Sequence, residues 1–246
     1  MSRTVKAPTN RDCEMRALLL PIKDLTNAKQ RLRGVLSPQE RFEFAQAMLA
    51  DTLRAVRAVK QAEKIFVVTN YPPAVQFAEQ YGWEVLREEH QISESVSVDW
   101  ASQECANRGV TGLLRLPLDL PLVQAHDIDD LLGAEFEAPA LVIVPSRNGT
   151  GTNAILRCPP ALFPSHFGEG SFAKHCAEAE RLGARIFVRR NSRLEMDVDD
   201  VDDLKELLRH DLSGTESGKW LRENRISNRV QAFEGAEHFR RFAAQG

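Results

Sequence analysis

Residues 17–32 read ALLLPIKDLTNAKQRL: an unbroken apolar run over 17–21, cut off by Lys23 and Asp24, then a loop that carries Lys23, Lys29 and Arg31 within nine residues. A short apolar run without polar alternation fits a strand buried on both faces, as in a parallel sheet covered by helices. In open sheets of that kind, ligands bind beyond the carboxyl ends of the strands. The cationic loop is therefore a candidate site for a triphosphate. The plainer alternative is a basic loop that merely feeds a helix.

Outward from this stretch, short apolar runs alternate with segments of helical periodicity. Strands are expected at 64–69, 84–87, 112–116, 140–145, 153–157 and 185–188 as well. Ser37-Pro38-Gln39-Glu40 supplies an N-cap, a proline at the first helical position and a Glu at the third, ahead of Phe44, Met48 and Leu53 in amphipathic order. Further helices are expected at 73–81, 95–107, 125–132, 171–182 and 201–208. The alternation predicts an α/β fold with a mostly parallel, mixed sheet.

The chain has 246 residues, 43% hydrophobic and 27% charged, which suits a soluble core and disfavours disordered or fibrous classes. Its 32 basic against 35 acidic residues leave a net charge of -3, so no global field draws in nucleic acid or an anionic membrane. No apolar run approaches the roughly 18 residues needed to cross a bilayer. Residues 1–14 lack the apolar segment of a secretory signal. Cys13, Cys105, Cys158 and Cys176 are scattered, without a C-x-x-C pair, and read as reduced thiols of a cytoplasmic protein. The expected organisation is a disordered extension over 1–15, one domain over 16–210 and a helical tail over 211–246. The tail's Trp220, Leu221, Ile226 and Val230 are expected to dock on the core or on a second subunit.

Four further stretches carry chemistry. In Leu114-Arg115-Leu116-Pro117-Leu118-Asp119-Leu120-Pro121-Leu122, an apolar strand ends at one carboxylate between prolines. Desolvating a lone carboxylate is costly, which points to a metal ion, the alternative being a turn cap. The run from Glu195 to Leu204 holds Asp197, Asp199, Asp200, Asp202 and Asp203. The last three suit the first turn of a helix, where the macrodipole favours acids, while Asp197 and Asp199 are candidate ligands of a divalent ion. Asn148-Gly149-Thr150-Gly151-Thr152-Asn153-Ala154 mimics a dinucleotide fingerprint, but a strand follows it instead of the helix that should receive a pyrophosphate. Its glycines either bring backbone amides to an anion or simply form a hairpin loop. His166-Phe167-Gly168-Glu169-Gly170-Ser171-Phe172-Ala173-Lys174-His175 opens a helix whose free N–H groups suit phosphate or carboxylate, or whose Ser171 is only an N-cap. His126, His166 and His175 have no Ser or Cys partner at triad spacing and read as core or surface histidines.

In one order along 16–208, the chain thus carries P-x-K, A-K-x-R-L, D-L-P, G-T-N, F-G-x-G-S-F-x-x-H and D-x-D. The set resembles the 2-phospho-L-lactate guanylyltransferase family, the CofC or FbiD-like enzymes of coenzyme F-420 biosynthesis. The resemblance implies a single-domain, three-layer α/β/α nucleotidyltransferase of the GT-A-like kind, condensing GTP with 2-phospho-L-lactate, phosphoenolpyruvate or 3-phosphoglycerate and releasing diphosphate. It implies triphosphate contacts from Lys23, Lys29 and Arg31, with Lys23, Lys29 and Asp119 at the chemistry. Asp119 with Asp197 or Asp199 would hold Mg²⁺ or Mn²⁺, and Thr152, Gly168 and Ser171 would bind the acceptor acid.

The partners are then small molecules, neither nucleic acid nor membrane, with a homodimer left open. Where the family has a G-L-N-x-A-like stretch for the nucleotide, this chain has Gln91-Ile92-Ser93-Glu94-Ser95-Val96-Ser97-Val98-Asp99. Another nucleotidyltransferase of the same fold, acting on a sugar phosphate or a pterin cofactor, and an inactive nucleotide-binding protein are the alternatives.

Overall fold

The computed structural model describes residues 15–90 and 92–233. In chain order the elements are β1 (Arg16–Pro21), a 3-10 turn (Gln30–Leu32), α1 (Pro38–Arg57), β2 (Lys64–Thr69), α2 (Pro72–Gln80), β3 (Glu84–Arg87), α3 (Glu94–Asn107), β4 (Gly112–Arg115), α4 (Ala125–Leu132), β5 (Ala140–Pro145), β6 (Thr152–Cys158), α5 (Ser171–Arg181), β7 (Arg185–Val188), α6 (Val201–Leu207) and α7 (Glu216–Glu223). They fall into two compact units. A sheet unit takes the chain up to Lys23, Val59–Pro117 and Ala125–Asn191; a helical unit takes Asp24–Ala58, Leu118–Gln124 and the chain from Ser192.

In the sheet unit, the strand order is β3-β2-β1-β4-β6-β5-β7. Every pairing is parallel except those of β6, which runs against both β4 and β5. This one reversal matters for function. It brings the start of β6, at Thr152, to the sheet edge where the parallel strands end, and ligands of open α/β sheets bind at that edge. Both faces of the central strands are buried: Ala17, Leu19, Phe66 and Leu113 pack with Val98, Ala101 and Cys105 of α3, while the alternating Leu18, Leu20, Val67 and Leu114 are also fully or nearly inaccessible. A continuous apolar run therefore reads as a strand only because neither face meets water.

Two arginines, Arg115 of β4 and Arg157 of β6, are buried on adjacent strands. Arg157 donates to the Phe163 carbonyl at 2.6 Å and to Ser102 Oγ at 2.8 Å, and lies 3.7 Å from Asp99. Burial pulls its pKa down to about 10. Asp99 in turn accepts from the Ser165 amide at 2.8 Å, and Ser95 Oγ accepts from the Phe167 amide at 3.0 Å. The loop between β6 and α5 is thereby tied to α3 at several points.

The helical unit is built from α1, α6 and α7 around Phe44, Met48, Leu204, Leu207, Leu221 and Ile226. Burying such side chains stabilises by about 1.5–3 kcal/mol each. The expected capping box on α1 is present: Ser37 Oγ accepts from the Glu40 amide at 3.3 Å and Glu40 Oε2 accepts from the Ser37 amide at 2.7 Å. Arg229, with Ser37 assisting, holds the Glu40 carboxyl down to about 2. Buried Asp51 of α1 accepts from the amides of Glu216 and Ser217 at 2.7 and 2.9 Å, capping α7 from another helix, and Trp220 stacks at 5.3 Å from Phe44. The tail thus docks on its own chain through α7.

Asp200 caps α6, accepting from the amides of Asp202 and Asp203 as the acidic run predicts. Cys105 and Cys176 are free thiols, as expected. Of the extension expected over 1–15, residues 1–14 lie outside the described residues, as does the tail beyond 233; the Met15 amide donates to Thr111 Oγ1 at 3.0 Å. Among the described residues, no helix is long and apolar enough to cross a membrane.

Candidate active site

In the helical unit, Lys29 enters the 3-10 turn with φ 54° and ψ 42°, the left-handed region. That conformation costs a residue with a Cβ roughly 1–2 kcal/mol. The side chain offsets the cost: Nζ donates to Asp119 Oδ2 at 2.5 Å and to Asp199 Oδ1 at 2.9 Å. Burial works against the ammonium, but the two carboxylates outweigh it, and the Lys29 pKa is held above its ordinary 10.5. The Asp119 side chain is 27% exposed and that of Asp199 50%, so both carboxylates stay within reach of solvent and of a ligand.

Two carboxylates that already share one cation are suited to sharing another. Magnesium is usually held by one or two carboxylates, with substrate phosphates and water completing six oxygens. Among the described residues no group of three His, Cys, Asp or Glu side chains could hold a metal ion, so phosphate oxygens would have to complete the set. Asp119 and Asp199 supply two carboxylates of the kind such an ion takes. Asp197 is half-buried between buried Met196 and Val198, and Arg31 is exposed within the turn.

In the sheet unit, a chain of small polar groups lies at the start of β6. His175 of α5 is fully buried; its Nε2 accepts from the His166 amide at 2.9 Å, and its Nδ1 is 3.0 Å from Thr152 Oγ1. Ser171 Oγ lies 3.2 Å from the same Thr152 oxygen. Gly168 and Gly170 take φ of 111° and 68°, values open to glycine, and so turn the loop into α5. Burial, then the nearby Arg157, pushes the His175 pKa down to about 3, so the ring is neutral. Lys23 stands half-buried just past β1, whose end is fixed by the Ile22 amide donating to the Val68 carbonyl at 3.0 Å.

Residues 15–242 match the sequence model of the family described as Guanylyl transferase CofC like. The chain belongs to that family.

As a CofC-like guanylyl transferase, it has relatives with named activities. The phosphoenolpyruvate guanylyltransferase of Conexibacter woesei is 35% identical over 190 residues, covering 77% of this chain and 85% of its own. The 2-phospho-L-lactate guanylyltransferase of Methanothermobacter thermautotrophicus is 30% identical over 209 residues, 85% of this chain and 91% of its own. Among solved structures, a Desulfovibrio desulfuricans G20 protein provisionally described as a nucleotide-diphospho-sugar transferase superposes with a TM-score of 0.72 at 15% identity, over 89% of this chain and 97% of its own. A cytidylyltransferase from Leptospira borgpetersenii gives 0.55 at 12% identity, over 88% and 96%. These structures share the nucleotidyltransferase fold, and the chain is a nucleotidyltransferase.

The structure of this CofC-like chain joins some predicted residues and reassigns others. Lys29, Asp119 and Asp199 converge, as do Thr152 and Ser171 behind Gly168. The amides of Gly149 and Gly151 do not face an anion: they donate to the Ser146 carbonyl and to Ser146 Oγ, each at 2.8 Å, closing the β5–β6 hairpin. Nor is Ser171 the N-cap of α5. That place belongs to Gly170, and Ser171 is the first helical residue with its hydroxyl turned to Thr152. His175 is a core histidine, as expected, and its ring packs against the Thr152 hydroxyl. Its position four residues beyond Ser171, on the same helix face, was the available signal for that contact.

Proposed function

We propose that this CofC-like enzyme transfers the guanylyl group of GTP to the phosphate of a small phosphorylated acid, 2-phospho-L-lactate, phosphoenolpyruvate or 3-phosphoglycerate, in coenzyme F-420 biosynthesis in the cytoplasm. The observation that carries the reading is the Lys29 ammonium bridging Asp119 and Asp199. In this reading residues 16–210 form the catalytic part, Lys23, Lys29 and Arg31 bind the triphosphate, Asp119 and Asp199 hold magnesium with Asp197 beside them, and Thr152, Gly168 and Ser171 bind the acid.

The chemistry needs no general base. A phosphate monoester loses its second proton near pH 6, so at neutral pH the acceptor is mostly a dianion. One of its oxygens attacks the α-phosphorus of GTP, the bond to the β-phosphate oxygen breaks, and diphosphate leaves with the electron pair. The protein's work is to hold two mutually repelling polyanions in line and to stabilise the charge that grows on the leaving group. Lys29, kept charged by its carboxylates, offers an ammonium to the diphosphate. When bound, the metal ion supplies further positive charge for the phosphoryl oxygens. Thr152 and Ser171 anchor the acid without themselves reacting.

The test is incubation with GTP, Mg²⁺ and each of the three acids while diphosphate is measured. Release with one acid and GTP, and much less with ATP or CTP, is the expected result. No release with any of the three sinks the assignment.

A further inference from the structure

We infer that His175 is a positioning residue: held as its Nδ1–H tautomer by the His166 amide, it orients the Thr152–Ser171 hydroxyl pair so that one proton points out of the cluster toward the bound acid. This rests on the proposed acceptor role of Thr152 and Ser171. The argument is a count of protons. The His166 backbone amide can only donate, so His175 Nε2 must accept, and a neutral ring then carries its proton on Nδ1. That proton goes to Thr152 Oγ1, 3.0 Å away.

The three groups therefore hold three protons: one on Nδ1, one on Thr152 and one on Ser171. Their two contacts, at 3.0 and 3.2 Å, consume two of them. Whichever way the hydroxyls turn, one O–H is left over to donate elsewhere. With the other tautomer, Thr152 would donate to Nδ1 and Ser171 to Thr152, and the pair would present only lone pairs to an incoming carboxylate or phosphate. The ring cannot easily change its state. It is fully buried, with the rings of Phe163 and Phe167 centred 5.9 and 5.2 Å away, and a protonated Nε2 would confront the His166 N–H. A hydroxyl pair that can donate or accept is thus converted into a donor, which is what an anionic acceptor requires.

The spectroscopic test uses the whole chain labelled with ¹⁵N at histidine. Long-range proton–nitrogen correlation is expected to show His175 as a neutral Nδ1–H ring from pH 5 to 8, and an Nε2–H ring overturns the inference. The kinetic test is a cycle of His175→Gln and Thr152→Val, reading KM for the acid and for GTP separately. His175→Gln is expected to raise KM for the acid about 10-fold, with KM for GTP unchanged, and Thr152→Val about 10- to 100-fold, the scale of one hydrogen bond to a charged group. The double variant should match Thr152→Val within about 2-fold, because His175 acts through that hydroxyl. Effects that multiply, or a KM for GTP that rises equally, overturn the positioning role. If the wild type turns over none of the acids, the proposed function fails, while the tautomer measurement still decides the state of the ring.

Discussion

The lysine cluster of the helical unit and the hydroxyl cluster of the sheet unit solve opposite problems. Lys29, Asp119 and Asp199 are formal charges held at partly exposed positions, an arrangement that a polyanion with its own cation can redistribute. Thr152, Ser171 and His175 are neutral, buried and hydrogen-bonded to one another, with one hydroxyl proton left over. In the proposed function the first arrangement serves a nucleotide tail whose charge changes as diphosphate leaves, and the second a small acid that must be held in one orientation. Charge handling tolerates solvent, whereas the orientation of a hydroxyl proton requires burial.

Breaking the charged half should have the largest effect. Asp119→Asn is expected to lower turnover by on the order of 10²–10³-fold, the scale for losing one preorganised electrostatic contact, with the far-ultraviolet circular dichroism unchanged. A variant that keeps turnover within a few-fold removes Asp119 from the chemistry.

Lys29→Ala tests whether the halves are separable. Its KM for GTP should rise about 10- to 100-fold while KM for the acid stays put, by the same hydrogen-bond scale. Equal rises in both constants would dissolve the comparison.

The two clusters should also part company with pH. Folded His175 binds a proton only near pH 3, against an ordinary 6.5. The unfolded chain therefore takes up that proton first, so the stability present above pH 6.5 is lost as pH falls toward 3. The slope is about 1.4 kcal/mol per pH unit. Lys29 has the opposite sign: its raised pKa contributes stability fully present below its ordinary 10.5 and lost only as pH rises above that value. Urea unfolding of His175→Gln should show a shallower loss between pH 6 and 4 than the wild type, and parallel curves would mean that the ring is not buried neutral.

The smallest expected effect lies outside both clusters. Ser37→Ala removes one partner of the α1 capping box and should cost about 1 kcal/mol in chemical denaturation, leaving both KM values unchanged. A kinetic effect would mean that the seating of α1 reaches the lysine cluster.

What could be read along the chain was local. Ser37 with Glu40, and Asp200 with Asp203, are three residues apart and cap their own helices. The central apolar runs became strands almost residue for residue and are buried on both faces, whereas the edge strands β3 and β7 carry polar, more exposed residues. The motif order also carried the family. Sequence alone could not decide that β6 runs backwards between β4 and β5, which is what places Thr152 at the edge where the parallel strands end. Nor could it decide which carboxylates meet Lys29, since Asp119 lies 90 residues away and Asp199 170. Contacts at that separation depend on which strands pair and how loops return. For His175 the tertiary structure decided most: an imidazole's proton goes to whichever nitrogen lacks a donor facing it, and that neighbour exists only in the folded chain.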